Sequence, residues 1–335
     1  MNEKIDFVIP WVDSNDAEWQ KERKKYVSDN PNKNYLYIDD RIIRYRDYGT
    51  LKYWFRGVEK YAQWVNKIHF ITCGHLPSWL NTSHPKLHIV RHDDYIPKDA
   101  LPTFNSNAIE LIIHKIEGLE EKFVLFNDDL FILKKLHEKD FFKKGLPCNT
   151  MALTAIIPSL KRRIHKTESN NVEIINKYFD FRKSIKKNIF KYLSLKTGKY
   201  IFKTYPLLMY KHFPGFIMYH MPNAYLKSTF EEVWSKEKEQ LEKTVYCRFR
   251  DYNNNINQWL FNYWQFASGK FIQRNYKFGS HIPIDRKKLP SLIEKQKYKV
   301  LSIWDTDAAE DFESLKAKII NSFQKVFPDK SGFEL

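Results

Sequence analysis

Two adjacent carboxylates interrupt an apolar stretch of the sequence, LFNDDLFIL, which spans residues 125–133. Asn127, Asp128 and Asp129 are its three polar residues, and the rest has the pattern of a buried strand. A buried carboxylate without a partner is energetically costly, so we expect a cation beside this pair. The cation is either an arginine or lysine of the chain or a divalent metal ion. Which of these it is determines the chemistry of the site.

Polar residues also lie at the ends of two other strand-like stretches. Trp11 and Asp13 stand at the end of IDFVIPWV, and Arg91 and His92 close KLHIVRH. Parallel α/β sheets bind ligands at the carboxyl ends of their strands, so these residues and the aspartate pair predict one shared site. The structural alternatives are a core tryptophan, a helix-capping aspartate and an ion pair between Arg91 and an aspartate that follows it.

The elements that would position these residues alternate between strand and helix. Apolar residues at helical spacing separate the first expected strand from the second, as in Leu51, Trp54 and Val58. This alternation predicts an α/β fold with a mainly parallel sheet flanked by helices. The four expected strands are IDFVIPWV (5–12), KIHFITC (67–73), KLHIVRH (86–92) and KFVLFND (122–128).

The stretch LPTFNSNAIE has the composition of a helix start. Asn105 and Ser106 are residue types that cap helices, and Glu110 follows one turn later. The free N–H groups of a helix N-terminus attract anions, so a ligand phosphate is one interpretation. Plain capping is the other.

Three residues further along the chain carry groups suited to phosphate chemistry. His220 lies in MYHMPN, and a histidine in such an apolar context is usually a core residue. Arg248 and Arg250 are two positions apart in CRFRD, so in extended backbone both would face one phosphoryl group. The alternative for these arginines is a pair of ordinary surface charges.

The charge of the chain is strongly positive, with 56 Lys and Arg against 40 Asp and Glu and a formal net charge of +16. Residues 161–203 contain 13 Lys and Arg but three Asp and Glu, with aromatic residues interleaved. Such a basic amphipathic stretch is typical of a surface that binds an anionic membrane or another polyanion. It also fits a helical insertion that packs its apolar side on the protein.

Composition places the chain among globular proteins, since 43% of its 335 residues are hydrophobic. The three cysteines, Cys73, Cys148 and Cys247, have neither disulfide-framework nor metal-ligand spacing, which favours reduced thiols in the cytoplasm. No stretch predicts a signal peptide or a membrane span. We therefore expect a cytoplasmic protein whose membrane contact is peripheral.

The sequence resembles the Stealth family in three blocks. IDFVIPWVDSNDAEW is similar to the family's opening block. RYRDYGTLKYW through FVLFNDDLFI, which includes RHDD and LPTFNSNAIE, resembles its long second block. YHMPNAYLKSTFEEVW resembles the third, and CRFRDYNNNINQWLFNYWQFASGK continues from it, so the likeness covers roughly residues 4–270. The family contains bacterial capsule hexose-1-phosphate transferases and the catalytic subunit of lysosomal-enzyme GlcNAc-1-phosphotransferase.

The resemblance implies a Rossmann-like sheet of the GT-A kind found in nucleotide-sugar glycosyltransferases. It also implies that a sugar phosphate is transferred from a UDP-sugar to a saccharide hydroxyl, which forms a phosphodiester and releases UMP. The alternatives are a metal-dependent glycosyltransferase that releases UDP and a non-enzymatic polyanion-binding protein. Nucleic acid is not an expected partner, because no helix-turn-helix, zinc-finger or RNA-binding motif is present.

The resemblance assigns a role to each candidate residue. Asp128 and Asp129 would hold Mg²⁺ or Mn²⁺, and one of them alone would bind directly if they face opposite ways in a strand. His220 would be the general base, and Arg250, with Arg248 as its substitute, would hold phosphoryl oxygens. The remaining residues would bind the substrate: Trp11 and Asp13 the nucleotide, Arg91 and His92 the phosphates, Asn105, Ser106 and Glu110 the sugar, and Asn127 beside them.

Four regions are expected along the chain. The sequence predicts a nucleotide-sugar-binding α/β core at residues 1–157 and a basic helical insertion at 158–204, called the basic segment below. Residues 205–270 would return to complete the active site, and 271–335 would form a helical C-terminal extension. The acceptor would be a saccharide, free or polyprenyl-linked, at the inner face of the bacterial cell membrane.

Overall fold

The computed structural model describes residues 4–28, 38–39, 45, 47–306 and 312–335. Its strands are β1 (Ile5–Pro10), β2 (Ile38–Asp39), β3 (Ile68–Thr72), β4 (Leu87–Arg91), β5 (Lys122–Leu125), β6 (Leu130–Ile132), β7 (Phe142–Lys143), β8 (Leu146–Asn149), β9 (Asn223–Leu226), β10 (Arg250–Asp251), β11 (Ile272–Gln273), β12 (Gly279–Pro283) and β13 (Val300–Trp304). Its α-helices are α1 (Ala17–Ser28), α2 (Leu51–Tyr61), α3 (His92–Tyr95), α4 (Ser106–Leu111), α5 (Ile164–Tyr178), α6 (Phe181–Tyr192), α7 (Ile201–Leu207), α8 (Lys227–Val245), α9 (Trp259–Ser268), α10 (Leu289–Glu294) and α11 (Phe312–Val326).

The main sheet of the described residues is Rossmann-like, with the strand order β4-β3-β1-β5-β9. The first four strands run parallel and β9 is antiparallel to β5. β1, β3 and β5 are almost entirely buried, as expected for strands covered on both faces. The predicted α/β fold is confirmed, and the four expected strands are the four parallel strands of this sheet.

Helices cover both faces of the main sheet. On one face, Trp54 of α2 packs against Phe7 of β1 in a shared apolar core. On the other face, Phe123 of β5 contacts Phe230 of α8, which stacks on Phe261 of α9. The sheet is therefore rigidly held, and the residues that follow its strands are held with it.

The C-terminal region contributes a smaller sheet with the order β12-β13-β6 within the described part of the chain. β13 pairs antiparallel with β6 and parallel with β12. The region is partly helical, as expected, since it contains helix α11. Strands β12 and β13 were not expected in it. KVLSIW at residues 299–304 is a short apolar run, and periodicity alone does not distinguish a strand from a buried helix in such a run.

The basic segment is helical, as predicted, and packs on the core through α6. Ser184 and Lys191 donate hydrogen bonds to the carbonyls of Ala267 and Gly269, at 2.7 and 2.5 Å. Gly269 ends α9 with a φ of +75°, and the side chain of Asn188 occupies the space that a Cβ there would need. Glycine is thus required where the segment meets α9. Among the described residues, no helix combines the length and apolar character needed to cross a membrane.

A buried ion pair fixes the C-terminal region to α2. The guanidinium of Arg56 donates to both carboxylate oxygens of Glu334, each at 2.7 Å, and to the carbonyl of Phe327. Both side chains of the pair are less than a tenth exposed. Burial opposes ionisation of Glu334, but the hydrogen bonds from Arg56 and from the Ser331 backbone lower its pKa below the usual value.

The variant Glu334→Gln should lower the free energy of unfolding by about 3 kcal/mol at neutral pH, because it leaves Arg56 buried without its counter-charge. A carboxylate with a lowered folded-state pKa stabilises the fold above its unfolded pKa of about 4.3 and loses this effect as the pH falls through the folded-state pKa. The difference from wild type should therefore shrink in acid. Chemical denaturation at several pH values measures it.

The matched control is Glu294→Gln, which breaks the exposed pair with Lys325. This control should change stability far less, since exposed ion pairs contribute little. Equal effects of the two variants would contradict the assigned role of the Arg56–Glu334 pair.

Candidate active site

A cleft of about 850 Å³ opens at the carboxyl edge of the main sheet. The ends of β1, β4 and β5 and the turn before β9 all supply residues to its wall. Residues that follow several of the expected strands therefore line one cleft. The predicted residues that line the cleft are Trp11, His92, Ser106, Glu110, Asn127, Asp128, Asp129, His220 and Arg250.

Asp128 and Asp129 lie in the turn between β5 and β6 rather than in extended backbone. Their side chains nevertheless have different surroundings. Asp129 is partly buried and faces protein groups, whereas Asp128 is exposed to the cleft. The backbone carbonyl of Asp129 also accepts a hydrogen bond from Ile303 of β13, at 2.9 Å. The C-terminal sheet thus holds the turn in place.

The carboxylate of Asp129 is compensated by protein side chains. His220 Nε2 lies 3.0 and 2.9 Å from its two oxygens, and Ser302 Oγ donates to it at 3.0 Å. His281 Nδ1 lies 2.8 Å from Ser302 Oγ and extends the chain of hydrogen bonds. The ring of His281 also stacks on Trp304. Histidine was not among the partners that the sequence analysis considered for this carboxylate.

His220 is oriented by this arrangement, which also favours its protonated form. Burial disfavours the protonated ring, but the charge and hydrogen bond of Asp129 outweigh it and raise the pKa of His220 above its usual value. For Asp129, burial is likewise outweighed, and the charge of His220 together with the hydrogen bonds from His220 and Ser302 lowers the pKa of the carboxyl. Burial and the charge of His220 lower the pKa of His281 to about 4, so this residue is neutral at cellular pH.

Asp128 has no such compensation. Its enclosure by the cleft walls and the charges of Asp129 and Asp47 raise the pKa of its carboxyl to about 7. The charge of Asp13 in turn contributes to a raised pKa of Asp47. Several carboxylates thus repel one another at this side of the cleft, and a bound cation would relieve this repulsion.

The carboxylates suit a hard cation, although they do not by themselves form a complete metal site. In the part of the chain that the structure describes, no three His, Cys, Asp or Glu side chains are grouped as ligands for one metal ion. Mg²⁺ is commonly held by one or two carboxylates together with substrate phosphates and water, so an incomplete protein site is consistent with it. Asp128 is the best placed ligand, because Asp129 already binds His220 and Ser302.

Helix α4 supplies further polar residues to the cleft. Glu110 is 5% exposed and accepts a hydrogen bond from the side chain of Asn127 at 3.4 Å. Burial raises the pKa of Glu110 to about 7, against the opposing charges of Arg250 and His220. Arg250 donates to Ser106 Oγ at 2.5 Å. Carboxyl, guanidinium and imidazole groups therefore act on one another across the cleft.

Trp11 and His92 form part of the cleft wall. The indole Nε1 of Trp11 is buried and has no hydrogen-bond partner among the described residues. Burial, with the charge of His75, lowers the pKa of His92 to about 4. His92 can therefore donate a hydrogen bond to a phosphate but does not carry a positive charge for it at cellular pH.

Two predicted residues after β1 and β4 lie outside the lining of the cleft. Asp13 accepts a hydrogen bond from the backbone of Asn15, and its own N–H donates to His75, which organises the turn before α1. Arg91 is exposed and its Nε lies 3.4 Å from Asp93, which is the ion pair considered as its structural alternative.

Asn105 and Arg248 also lie outside the cleft lining and connect two parts of the chain. Asn105 is fully buried, caps α4 and donates to the carbonyl of Cys247 and to Asn255. Arg248 donates to the carbonyl of Leu101. These contacts hold α4 against the strand that carries Arg250, so they position the site rather than contact its ligand.

The sequence analysis missed the residues that the C-terminal sheet brings to the cleft, His281, Trp304 and Asp305, and also Ser302 behind Asp129. These positions lie beyond the part of the chain that resembles the family blocks. The polar residues within KVLSIWD alternate with apolar ones and could have indicated a strand with one polar face. Because no strand was expected there, this pattern was not interpreted.

Comparison with known proteins defines the class of this chain. Conserved region 1 of Stealth proteins matches residues 3–31, and conserved region 2 matches residues 44–149. The capsular polysaccharide phosphotransferase WcwK of Streptococcus pneumoniae is 44% identical and covers 99% of this chain and 98% of its own length. The receptor polysaccharide phosphotransferase WefC of Streptococcus oralis is 40% identical over 99% of both chains. The exopolysaccharide phosphotransferase cps2G of Lactiplantibacillus plantarum is 36% identical over 98% of this chain and 96% of its own.

With relatives of this similarity, the chain is an enzyme, a phosphotransferase. It belongs to the Stealth family, which confirms the resemblance found in its sequence. The non-enzymatic alternative is thereby excluded.

Solved structures show weaker similarity. The galactosyltransferase LgtC in complex with donor and acceptor sugar analogues aligns over 93% of this chain and 95% of its own, with 12% identity and a TM-score of 0.37. The bifunctional glycosyltransferase WbbM aligns over 97% of this chain and 52% of its own, with 11% identity and a TM-score of 0.38. Scores at this level carry no weight for the function.

Replacing Asp129 by Asn should lower the pKa of His220, because burial then acts on the imidazole without the carboxylate charge that opposes it. An NMR titration of the His220 ring in the metal-free protein measures this. Asp128→Asn is the control and should shift the pKa less, since Asp129 contributes more than Asp128 to raising it. An unchanged or higher pKa in Asp129→Asn would show that Asp129 does not control the protonation of His220.

Proposed function

We propose that the enzyme transfers a sugar 1-phosphate from a UDP-hexose or UDP-N-acetylhexosamine to a saccharide hydroxyl. The product is a phosphodiester in a capsular or other cell-surface polysaccharide, and UMP is released. The names of the relatives support phosphate transfer to a polysaccharide. The observation that carries the proposal is a histidine held by a carboxylate, His220 on Asp129, across the cleft from Arg250 and Glu110.

The acceptor hydroxyl is activated by His220. The imidazole accepts the hydroxyl proton while the oxygen forms a bond to the phosphorus next to the sugar. The bond from this phosphorus to the oxygen that bridges to the second phosphorus breaks, and UMP leaves with that oxygen. Asp129 fixes the orientation of the ring and stabilises the imidazolium that forms, as the carboxylate does in other acid–base–histidine arrangements.

Other residues of the cleft would bind the UDP-sugar and compensate the negative charge of its diphosphate. Arg250 is placed to bind non-bridging phosphoryl oxygens, since Ser106 orients its guanidinium. Glu110 and Asn127 are hydrogen-bonded to each other and offer groups for the sugar hydroxyls. Trp11 Nε1 and His92 supply neutral donors for the nucleotide and its phosphates. Phosphoryl transfer is chiefly a matter of positioning and charge stabilisation, which these groups provide.

A divalent cation, Mg²⁺ or Mn²⁺, would be held by Asp128 together with the donor diphosphate. When bound, it supplies positive charge that neutralises the phosphate oxygens. The raised pKa of Asp128 supports this assignment, because a carboxyl at about 7 among other acids is stabilised in its ionised form by a cation.

The acceptor would be carried by a polyprenyl lipid at the inner face of the cell membrane. The enzyme would then act in the cytoplasm as a peripheral membrane protein, and the basic segment would bring it to the anionic leaflet. The excess of Lys and Arg in residues 161–203 supports this contact.

The reaction predicts UMP as the nucleotide product, with phosphorus retained in the saccharide. The variant His220→Ala should lower the turnover rate by roughly 10²- to 10⁴-fold, the usual contribution of a general base, and should still bind the UDP-sugar. Wild-type turnover should rise as the pH increases through the pKa of His220, because the base has to be neutral. Chromatography of the nucleotides and ³¹P NMR of the saccharide measure these outcomes.

The control for this variant is His212→Ala, an exposed histidine of the same region, whose turnover should equal that of wild type. Stoichiometric UDP, with no phosphorus in the saccharide, would instead identify a glycosyltransferase.

Asp128→Asn should weaken Mn²⁺ binding in the presence of UDP by about 10- to 100-fold or more, since even the loss of an outer-shell group has effects of that size. Electron paramagnetic resonance of free Mn²⁺ measures this independently of turnover. Asp93→Asn, an exposed aspartate outside the cleft lining, is the control. Undiminished wild-type turnover in excess chelator would refute the metal assignment.

A further inference from the structure

The basic segment and the few residues that follow it expose large apolar side chains. We call Phe190, Leu195, Phe202, Tyr205 and Met209 the exposed apolar set, and their side chains are 90, 86, 80, 70 and 79% exposed. Isolated exposed apolar residues are normal, but five within 20 positions of the chain are not. Such a concentration marks a surface that contacts something apolar.

The inner side of the same elements is anchored in the protein. Tyr192 is fully buried and its hydroxyl lies 3.0 Å from Ser184 Oγ. Thr197 and Thr204 are also buried, and Thr204 accepts a hydrogen bond from the backbone of Leu153. The outward direction of the exposed apolar set is therefore fixed by the packing of its neighbours and does not result from a loose segment.

The charge around the set is positive throughout. Residues 181–211 contain nine Lys and Arg and neither Asp nor Glu. Seven of the lysines are exposed, namely Lys183, Lys186, Lys187, Lys196, Lys199, Lys203 and Lys211. Lys191 differs, because its ammonium group donates to the carbonyls of Gly269 and Phe271 and so belongs to the anchored side.

We infer that this surface inserts into the interface of an anionic lipid bilayer. The lysines attract the anionic headgroups, and the exposed apolar set enters the boundary between headgroups and acyl chains. This inference rests on the membrane contact of the proposed function and extends it from attraction by charge to insertion. A second copy of the chain is a poor occupant, since two such basic surfaces repel each other. A nucleic acid would pair with the lysines but would not bury Leu195 and Met209.

The same segment reaches the active-site cleft. Helix α5 begins at Ile164, and Ile164 lines the cleft together with Met218. Insertion by α6 and α7 would thus hold the cleft close to the bilayer, where a lipid-linked acceptor is found. The class of acceptor favoured by this surface is a saccharide on a membrane-embedded lipid.

The test compares vesicle binding by three forms of the full chain. The first is wild type, the second is Phe190→Gln, Phe202→Gln and Met209→Gln combined, and the third is the control Leu335→Gln, an exposed leucine elsewhere on the surface. Sedimentation with phosphatidylglycerol-containing vesicles is measured at physiological and at about 0.5 M salt, where the screening length falls to roughly 4 Å. Circular dichroism verifies that each form is folded.

The triple variant should lose about tenfold or more in vesicle partitioning at both salt concentrations, because its apolar contribution is removed and its charge is kept. The control should partition as wild type does, and part of the wild-type binding should persist at high salt. Charge reversal of Lys183, Lys186 and Lys196 should lower binding chiefly at physiological salt. Wild-type partitioning of the triple variant, or complete release of wild type by salt, would overturn the inference.

A turnover assay with a lipid-free saccharide acceptor tests the proposed reaction independently of vesicle binding. The triple variant should equal wild type in that assay, since none of its three positions lines the cleft. Loss of vesicle binding with normal turnover supports insertion. Absence of transfer by wild type to both lipid-free and lipid-linked acceptors would refute the reaction, while the vesicle measurements would still decide whether the surface inserts.

Discussion

The site depends on the neutralisation of one carboxylate, that of Asp129. It lies at the end of a buried strand, where an isolated negative charge would be strongly unfavourable. His220 and Ser302 supply the compensating hydrogen bonds. His220 lies in the turn before β9 of the main sheet, whereas Ser302 lies in β13 of the C-terminal sheet. The same contacts that stabilise the charge also fix the ring of His220. One set of contacts therefore stabilises the charge of Asp129 and orients the ring of His220, and Asp128 remains available to face the cleft.

The parallel sheet could be predicted because its evidence is local. β1, β3 and β5 are short apolar runs buried on both faces, β4 is partly exposed, and polar residues follow the strands at the edge of the sheet. Trp11, His92, Asn127 and Asp128 were recognised in this way, and all line the cleft. The prediction that His220 belongs to the site depended on the family resemblance. An isolated histidine among apolar residues has no local signal that distinguishes a base from a core residue.

Several candidate residues lie outside the lining of the cleft because they make other contacts in the folded chain. Asn105 had the signature of a ligand-binding helix start, but its buried amide joins two distant segments. Arg91 pairs with the nearby Asp93, and Arg248 donates to the carbonyl of Leu101. Conversely, Ser302 and His281 act on Asp129 only because β13 pairs with β6, and pairing between remote strands is not encoded by the periodicity of either one.

The distance along the chain between Asp129 and Ser302 has a consequence for biosynthesis. The two residues are 173 positions apart. At translation rates of about 5–20 residues per second, Ser302 is therefore synthesised roughly 10–35 s after Asp129. During this time the nascent chain lacks strand β13, and the carboxylate lacks the hydrogen bond from Ser302. The complete set of contacts around Asp129 therefore forms late in synthesis, after β13 has paired with β6.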